Sequence, residues 1–277
     1  MSRITKRFAE TRSKGRSALV PYVTAGDPSP DVTVPLMHDL VAAGADLLEL
    51  GVPFSDPMAD GPVIQQACER ALSHGTSLRD VMGMVRVFRE HDQDTPVVLM
   101  GYLNPVERMG VEVFAEAAAA AGVDGVLMVD LPPEESGDWT GVLERVGIDP
   151  IFLIAPTTTD KRLRQVSAAA RGFIYYVSLK GVTGSQTLDT AELGNRLESI
   201  RALTALPLGV GFGIRDANTA ASVARVADAV VVGSAIVQLV TRFPQAPEQF
   251  RAAAADLVRE MRAAMDKARV AEVPAPA

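Results

Sequence analysis

The sequence contains few of the residues that form disulfide bonds in small domains or bind metal ions. It has one cysteine, Cys68, among 277 residues, so an internal disulfide framework is excluded. Cys68 lies in "IQQACERAL", where we expect a small buried helix residue. Its three histidines, His38, His74 and His91, lie in stretches with helical spacing, and no pair has the spacing of metal ligands. These patterns favour surface or helix-cap roles for the histidines and argue against a metal centre.

The sequence also lacks a long apolar run. No stretch approaches the roughly 18 residues of a membrane-spanning helix. The first residues, "MSRITKRFAETRSKGR", are basic but contain no apolar core of a secretory signal. A net charge of −7 argues against a nucleic-acid binder, and 48% hydrophobic residues suffice for a large core. We therefore expect a soluble, cytoplasmic chain.

Short apolar runs alternate with helical stretches along almost the whole chain. We predict eight strands, at 18–24, 46–51, 96–102, 125–130, 150–155, 173–178, 207–213 and 229–233. Eight such units favour a closed (β/α)8 TIM barrel of the α/β class. An open doubly wound sheet is the alternative, but "TAGDPSP" after the first strand is not its glycine-rich fingerprint.

The two ends of the chain are expected to differ from the repeating units. Ile4 and Phe8 are four residues apart, which predicts a short amphipathic helix within residues 1–15. Residues from about 268 to 277 are predicted to form a frayed tail. No shift in composition divides the chain, so we expect residues 1–277 to form a single domain.

Carboxylates occur where the second predicted strand ends, in "LELGVPFSDPMADGP". Glu49 is flanked by leucines, and in a barrel it would point into the mouth, where active sites gather. An apolar pocket there would raise its pKa and allow proton exchange near neutral pH. Asp60 follows in a loop with three prolines, and Asp56 is its rival; Asp130 at another strand end is a secondary candidate. The alternatives are a salt-bridged core glutamate and two turn-forming aspartates.

Glycine-rich loops follow the seventh and eighth predicted strands, in "GVGFGIRDANT" and "VVVGSAI". Gly211, Gly213 and Gly233 would let backbone N–H groups approach an anion, and Ser234 adds a hydroxyl. This is the usual phosphate site of a barrel. "SLKGVTGS" after strand six is a third such loop, able to close as a lid. Its Lys180 lies beyond the strand, which favours a solvated lysine over a Schiff base.

Several motifs together resemble one known family, the tryptophan synthase alpha subunit. The resemblance covers roughly residues 15–250 and runs through "PYVTAGDP", "LELGVPFSDPMADGPVIQ", "MGYLNP", "GVDGVLMVDLPPEES", "GVTG", "GFGI" and "GSAIV". It implies a carbon–carbon lyase that cleaves indole-3-glycerol phosphate to indole and glyceraldehyde 3-phosphate in a retro-aldol reaction. That family uses neither a metal nor a Schiff base in this reaction.

The resemblance also implies roles for individual residues. Glu49 would shuttle protons, Asp60 would bind the indole N–H and stay charged, and Tyr175 would lie near the substrate. The residues that match the phosphate-binding backbone are Gly184, Gly213, Gly233 and Ser234. The residues that match the wall of the indole pocket are Tyr22, Met100, Leu127, Thr183 and Phe212.

A partner is implied as well. The family works as an α2β2 assembly that passes indole to a beta subunit carrying pyridoxal phosphate, with no cofactor on the alpha chain. The residues that match its contact surface are Pro53, Asp56, Asn104, Pro105, Asp130 and Pro132; "DLPPEES" departs from a form with one proline. Two other functions remain open: a non-catalytic phosphate-binding activator, and another phosphosugar aldolase or epimerase.

Overall fold

The computed structural model describes residues 1–177, 190–211 and 213–270. Eight parallel strands close a barrel in sequence order, and the first pairs with the last. They are β1 (Ala18–Thr24), β2 (Leu48–Gly51), β3 (Val97–Gly101), β4 (Gly125–Met128), β5 (Asp149–Ile154), β6 (Ile174–Val177), β7 (Leu208–Gly211) and β8 (Ala229–Val232). The predicted (β/α)8 barrel is therefore confirmed.

Helices surround the strands. They are α1 (Arg3–Ser13), α2 (Pro30–Ala42), α3 (Pro62–Ser73), α4 (Leu78–Arg89), α5 (Leu103–Met109), α6 (Val111–Ala121), α7 (Gly137–Arg145), α8 (Asp160–Ala169), α9 (Thr190–Arg201), α10 (Ala217–Ala224), α11 (Ser234–Val237) and α12 (Pro247–Val270), with a 3-10 turn at Gln238–Arg242. Among the described helices, none combines the length and apolarity required to cross a bilayer. Cys68 is buried on α3, as the sequence predicts.

Helix α1 covers the amino-terminal end of the barrel. Its Ile4 and Phe8 are buried with the inward side chains of the strands, and the Phe8 and Phe173 rings lie 5.6 Å apart. The side chain of Ser2 caps the helix by accepting the N–H of Thr5. The predicted N-terminal helix is confirmed, and it leaves the carboxyl-terminal end of the barrel as the open face.

Helix α12 is longer than the sequence suggests. It continues to Val270, whereas a frayed tail was expected from about residue 268; residues 271–277 lie outside the described part. Met261 and Met265 on this helix are fully buried, and α12 packs against α2 and α10. The apolar periodicity therefore carries the helix to its last described turn.

Three aspartates close the amino-terminal rim of the barrel, just before β2, β4 and β8. Each accepts a hydrogen bond from a backbone N–H of the preceding strand and forms an ion pair with an arginine of the helix layer. The sets are Asp46 with Leu19 and Arg262, Asp124 with Val97 and Arg89, and Asp228 with Leu208 and Arg201. Carboxylates paired in this way satisfy the strand ends and fix the frame on which the opposite rim is built.

Candidate active site

Glu49 points into the barrel. Its register partners are Tyr22 on β1 and Val98 on β3, and Val98 belongs to the inward-facing cluster. The side chain is 1% exposed, and neither carboxyl oxygen has a hydrogen-bond partner among the described residues. Burial, followed by the nearby charge of Asp60, raises the pKa of Glu49 to about 8. The alternative of a salt-bridged core glutamate finds no support in this environment.

Asp60 reaches the same space from the loop between β2 and α3. Its Oδ2 accepts a hydrogen bond of 2.8 Å from the hydroxyl of Tyr102. Burial raises the pKa of Asp60, and the hydrogen bond from Tyr102 lowers it. The sequence predicted a protonated Glu49 and a charged Asp60. The contrast between the two pKa values is smaller than that prediction implies, because burial raises the pKa of both carboxyls.

Asp56, the rival of Asp60, has a different position. It is exposed, and its Oδ2 accepts a hydrogen bond from the neighbouring Ser55 hydroxyl. Asp60, and not Asp56, perturbs the pKa of Glu49. The charge of Asp60 therefore acts on Glu49, and Asp56 lies on the surface of the loop.

Two tyrosines occupy space that two glycines leave free. A Cβ added to Gly51 would lie 2.1 Å from the Tyr22 hydroxyl oxygen, and one added to Gly211 would lie 2.1 Å from that of Tyr175. Burial raises the pKa of both phenols, and the charge of Glu49 adds to the effect. Both hydroxyls are therefore neutral near pH 7, and they lie within electrostatic range of Glu49.

The predicted pocket wall is partly described. Leu127 is buried inside the barrel in register with Met100, which packs against the same cluster and against Tyr22. Thr183 and Phe212, which complete the predicted wall, lie outside the described residues. Leu127 and Met100 therefore provide apolar surface on the side of the barrel mouth next to Tyr22.

The predicted phosphate residues lie at the ends of β7 and β8. Gly233 is the N-cap of α11 and Ser234 its first residue, where helical N–H groups have no intrahelical acceptor. Gly213 has φ +77°, a conformation that favours glycine. A Cβ on Gly233 would lie 3.5 Å from the Tyr22 ring, so this end adjoins the pocket. Gly184 and Lys180 lie outside the described residues.

The predicted partner surface is mostly open to solvent. Asn104 and Asp130 are exposed, and Pro105 and Pro132 are half-buried. Pro53 differs from the expectation because it is buried within this chain: the preceding Val52 N–H donates to the Met100 carbonyl and holds the segment against β3.

Two aromatic residues at the site were not singled out in the sequence. Tyr102 directly follows β3, and its ring stacks on Phe54 with centroids 5.1 Å apart. The signal was an aromatic side chain at the carboxyl end of a barrel strand, in "MGYLNP".

In residues 1–177, 190–211 and 213–270, no three His, Cys, Asp or Glu side chains are grouped so as to hold a metal ion.

A family model described as tryptophan synthase alpha chain matches residues 8–266. The chain belongs to the tryptophan synthase alpha chain family. Members of this family are lyases of tryptophan biosynthesis, and pyridoxal phosphate is held by the beta chain rather than the alpha chain.

Individual members of the tryptophan synthase alpha chain family cover nearly the whole sequence. The protein from Thioalkalivibrio sulfidiphilus is 66% identical, over 96% of this chain and 100% of its own length. The one from Alkalilimnicola ehrlichii is 62% identical, over 96% and 97%. The crystal structure of tryptophan synthase subunit alpha from Legionella pneumophila has a TM-score of 0.91 at 46% identity, covering 96% of this chain and 99% of that one.

Proposed function

We propose that this chain cleaves indole-3-glycerol phosphate to indole and glyceraldehyde 3-phosphate, with Glu49 and Asp60 as the catalytic pair. The observation that carries the proposal is the buried carboxyl group of Glu49, which has no hydrogen-bond partner among the described residues. Leaving such a group unpaired destabilises a fold, so its retention at a barrel mouth favours a catalytic role. Membership of the tryptophan synthase alpha chain family supplies the substrate.

A pKa near 8 suits a residue that both gives and takes a proton. At pH 7, Glu49 starts protonated and delivers its proton to C3 of the indole ring. The resulting carboxylate then removes the proton from the glycerol hydroxyl next to the ring. The C3–C1′ bond breaks, its electron pair restores the aromatic ring, and the hydroxyl carbon becomes the aldehyde. Glu49 ends protonated, as it began.

Asp60 acts on the charge that appears between these two steps. Protonation at C3 places positive charge on the ring nitrogen, and a nearby carboxylate lowers the energy of that intermediate. The hydrogen bond from Tyr102 favours the charged form of Asp60 against the effect of burial. Two carboxyls in different surroundings thereby divide the acid–base and electrostatic roles.

The phosphate group of the substrate is proposed to bind at the ends of β7 and β8. Gly233 and Ser234 offer backbone N–H groups at the start of α11, and Gly213 leaves room for close approach. Gly184 belongs to the same predicted set. Holding the phosphate there, beside Tyr22, orients the indole toward Glu49, and Tyr175 borders the same space.

The indole is proposed to pass to a tryptophan synthase beta subunit within an α2β2 assembly. A solved tryptophan synthase from M. tuberculosis contains a chain that matches this one with a TM-score of 0.84 at 36% identity, covering 96% of this chain and 100% of that one. The exposed Asp56, Asn104 and Asp130 lie in the segments that follow β2, β3 and β4, and they are proposed to contact that partner.

The deciding experiment measures indole release from indole-3-glycerol phosphate by the purified chain, alone and with a beta subunit. We expect slow release alone, faster release with the partner, and no loss of activity with a chelator. No release in either condition would refute the proposed reaction and favour a non-catalytic activator. Inhibition by the chelator would favour a metal-dependent aldolase instead.

A further inference from the structure

Tyr102 contacts the loop between β2 and α3 at three points. Its ring stacks on Phe54 near the start of the loop, with centroids 5.1 Å apart and an interplanar angle of 26°. Its hydroxyl oxygen accepts the N–H of Ala59 at 3.1 Å and donates to Oδ2 of Asp60 at 2.8 Å. One side chain thus engages both ends of the loop and the carboxylate that the loop carries.

Tyr102 itself is fixed in place. It is 5% exposed and directly follows β3. The N–H of the next residue, Leu103, donates to Oδ1 of Asp130 at 2.8 Å, so the backbone is held on both sides. The loop, by contrast, contains the exposed residues Asp56 and Met58, and the side-chain amide of Gln65 holds its backbone by donating to the Asp60 carbonyl at 2.9 Å. The tyrosine is therefore the rigid member of the contact.

We infer that Tyr102 is a positioning residue, which holds the Asp60 carboxylate in the orientation from which it acts on the substrate. This inference rests on the proposed function. A carboxylate at the end of a loop has freedom in both backbone and side chain, and ordering it during the reaction would slow the step. The double contact through Ala59 and Asp60 provides that order in advance.

The hydroxyl of Tyr102 also favours the ionised carboxylate. A hydrogen bond to a charged acceptor is stronger than one to a neutral acceptor, so its removal raises the pKa of Asp60. Other titratable groups face Asp60 from the surrounding elements. They are Glu49 on β2, Tyr22 on β1, Tyr175 on β6 and Cys68 on α3. All of these remain unchanged when Tyr102 is replaced by phenylalanine.

The test is Tyr102→Phe, which deletes the hydroxyl and keeps the ring on Phe54. We expect kcat to fall about 10-fold or more, with a smaller change in KM, as for the loss of a hydrogen bond to a charged group. The acid limb of the kcat–pH profile should move to higher pH, because Asp60 then keeps its proton longer. Ser167→Ala is the matched control: it removes another partly buried hydroxyl hydrogen bond, to Thr204 at 2.8 Å, and should change neither quantity.

A double-mutant cycle separates positioning from a general structural effect. In an Asp60→Asn background, Tyr102→Phe should change kcat less than about 2-fold, because the group that it positions is already lost. The same fold-loss in both backgrounds would overturn the inference. So would an active wild type whose kcat and pH profile are unaffected by Tyr102→Phe.

Amide hydrogen exchange gives a measurement that does not depend on the reaction. The Ala59 amide should exchange faster in Tyr102→Phe and stay protected in Asp60→Asn, because its acceptor is the tyrosine oxygen. Unchanged exchange at Ala59 in Tyr102→Phe would show that Tyr102 does not hold the loop. If the wild type releases no indole, the proposed reaction fails, and the exchange result still decides whether the anchor exists.

Discussion

Replacing Glu49 with glutamine should make the protein more stable and nearly inactive at once. Glutamine has almost the shape of a protonated glutamate, so it fits the same buried position without the option of ionising. Proton transfer by a placed side chain contributes about 10²–10⁴ in rate, and glutamine cannot supply it. The loss of activity should therefore come with no loss of fold.

The gain in stability follows from the pKa. The folded carboxyl has a pKa of about 8, against an ordinary value of 4.5. Between these values the unfolded chain has released the proton and the folded chain has kept it, which disfavours folding by about 1.4 kcal/mol per pH unit above 4.5. At pH 7 the penalty is about 3 kcal/mol, and it is absent below the unfolded pKa. Glu49→Gln removes this penalty.

Urea unfolding followed by circular dichroism at pH 5, 7 and 8 measures this effect. The difference in free energy of unfolding between Glu49→Gln and wild type should grow from about 1 kcal/mol at pH 5 to about 3 kcal/mol at pH 7. Glu260→Gln, at an exposed position of α12, is the control and should show no such trend. Parallel stability curves for wild type and Glu49→Gln, or more than about a tenth of wild-type indole release, would refute the reasoning.

Three further predictions concern the phosphate, the partner and the frame. Gly213→Val should weaken the binding of glycerol phosphate, measured by calorimetry. Gly147→Val is the control and should leave binding unchanged, because Gly147 has a similar φ of +79° and open space around it. Equal affinities of Gly213→Val and wild type for glycerol phosphate would place the phosphate site elsewhere. Asp56→Ala should reduce activation by a beta subunit more than the basal rate, and a collapse of the basal rate alone would make Asp56 part of the chemistry. Asp124→Ala should lower the free energy of unfolding by about 3–5 kcal/mol, because the buried Arg89 loses its ion pair; a loss under about 1 kcal/mol would contradict this.

The fold was accessible from the sequence because each strand of a parallel barrel is covered on both faces. Such strands read as continuous apolar runs, and the eight predicted runs match the eight observed strands to within about two residues at each end. Glu49 could be identified from the sequence for the same reason, because a carboxylate inside an apolar run has few positions in which it is stable. The signal was strong because burial and charge conflict there.

The contacts around Asp60 were not accessible in that way. Tyr102 lies 42 positions from Asp60, and an aromatic residue after a strand does not reveal which loop it will touch. Pro53 was expected at a partner surface, yet the backbone hydrogen bond of Val52 to Met100 draws the start of the loop inward. Local pattern predicts elements, while the direction of a loop depends on hydrogen bonds between residues that are far apart in sequence.

Glu49 differs from the paired carboxylates at the amino-terminal rim of the barrel. At the amino-terminal rim, Asp46, Asp124 and Asp228 each receive a backbone N–H and an arginine. At the carboxyl-terminal rim, Glu49 has no such partner among the described residues, although the same helix layer surrounds it. The fold therefore has the means to neutralise a buried carboxylate, as the ion pairs of the buried Asp46, Asp124 and Asp27 with arginines show. An arginine beside Glu49 would hold its pKa down and abolish its ability to carry a proton at neutral pH. The instability that Glu49 introduces is best understood as the consequence of keeping that proton available.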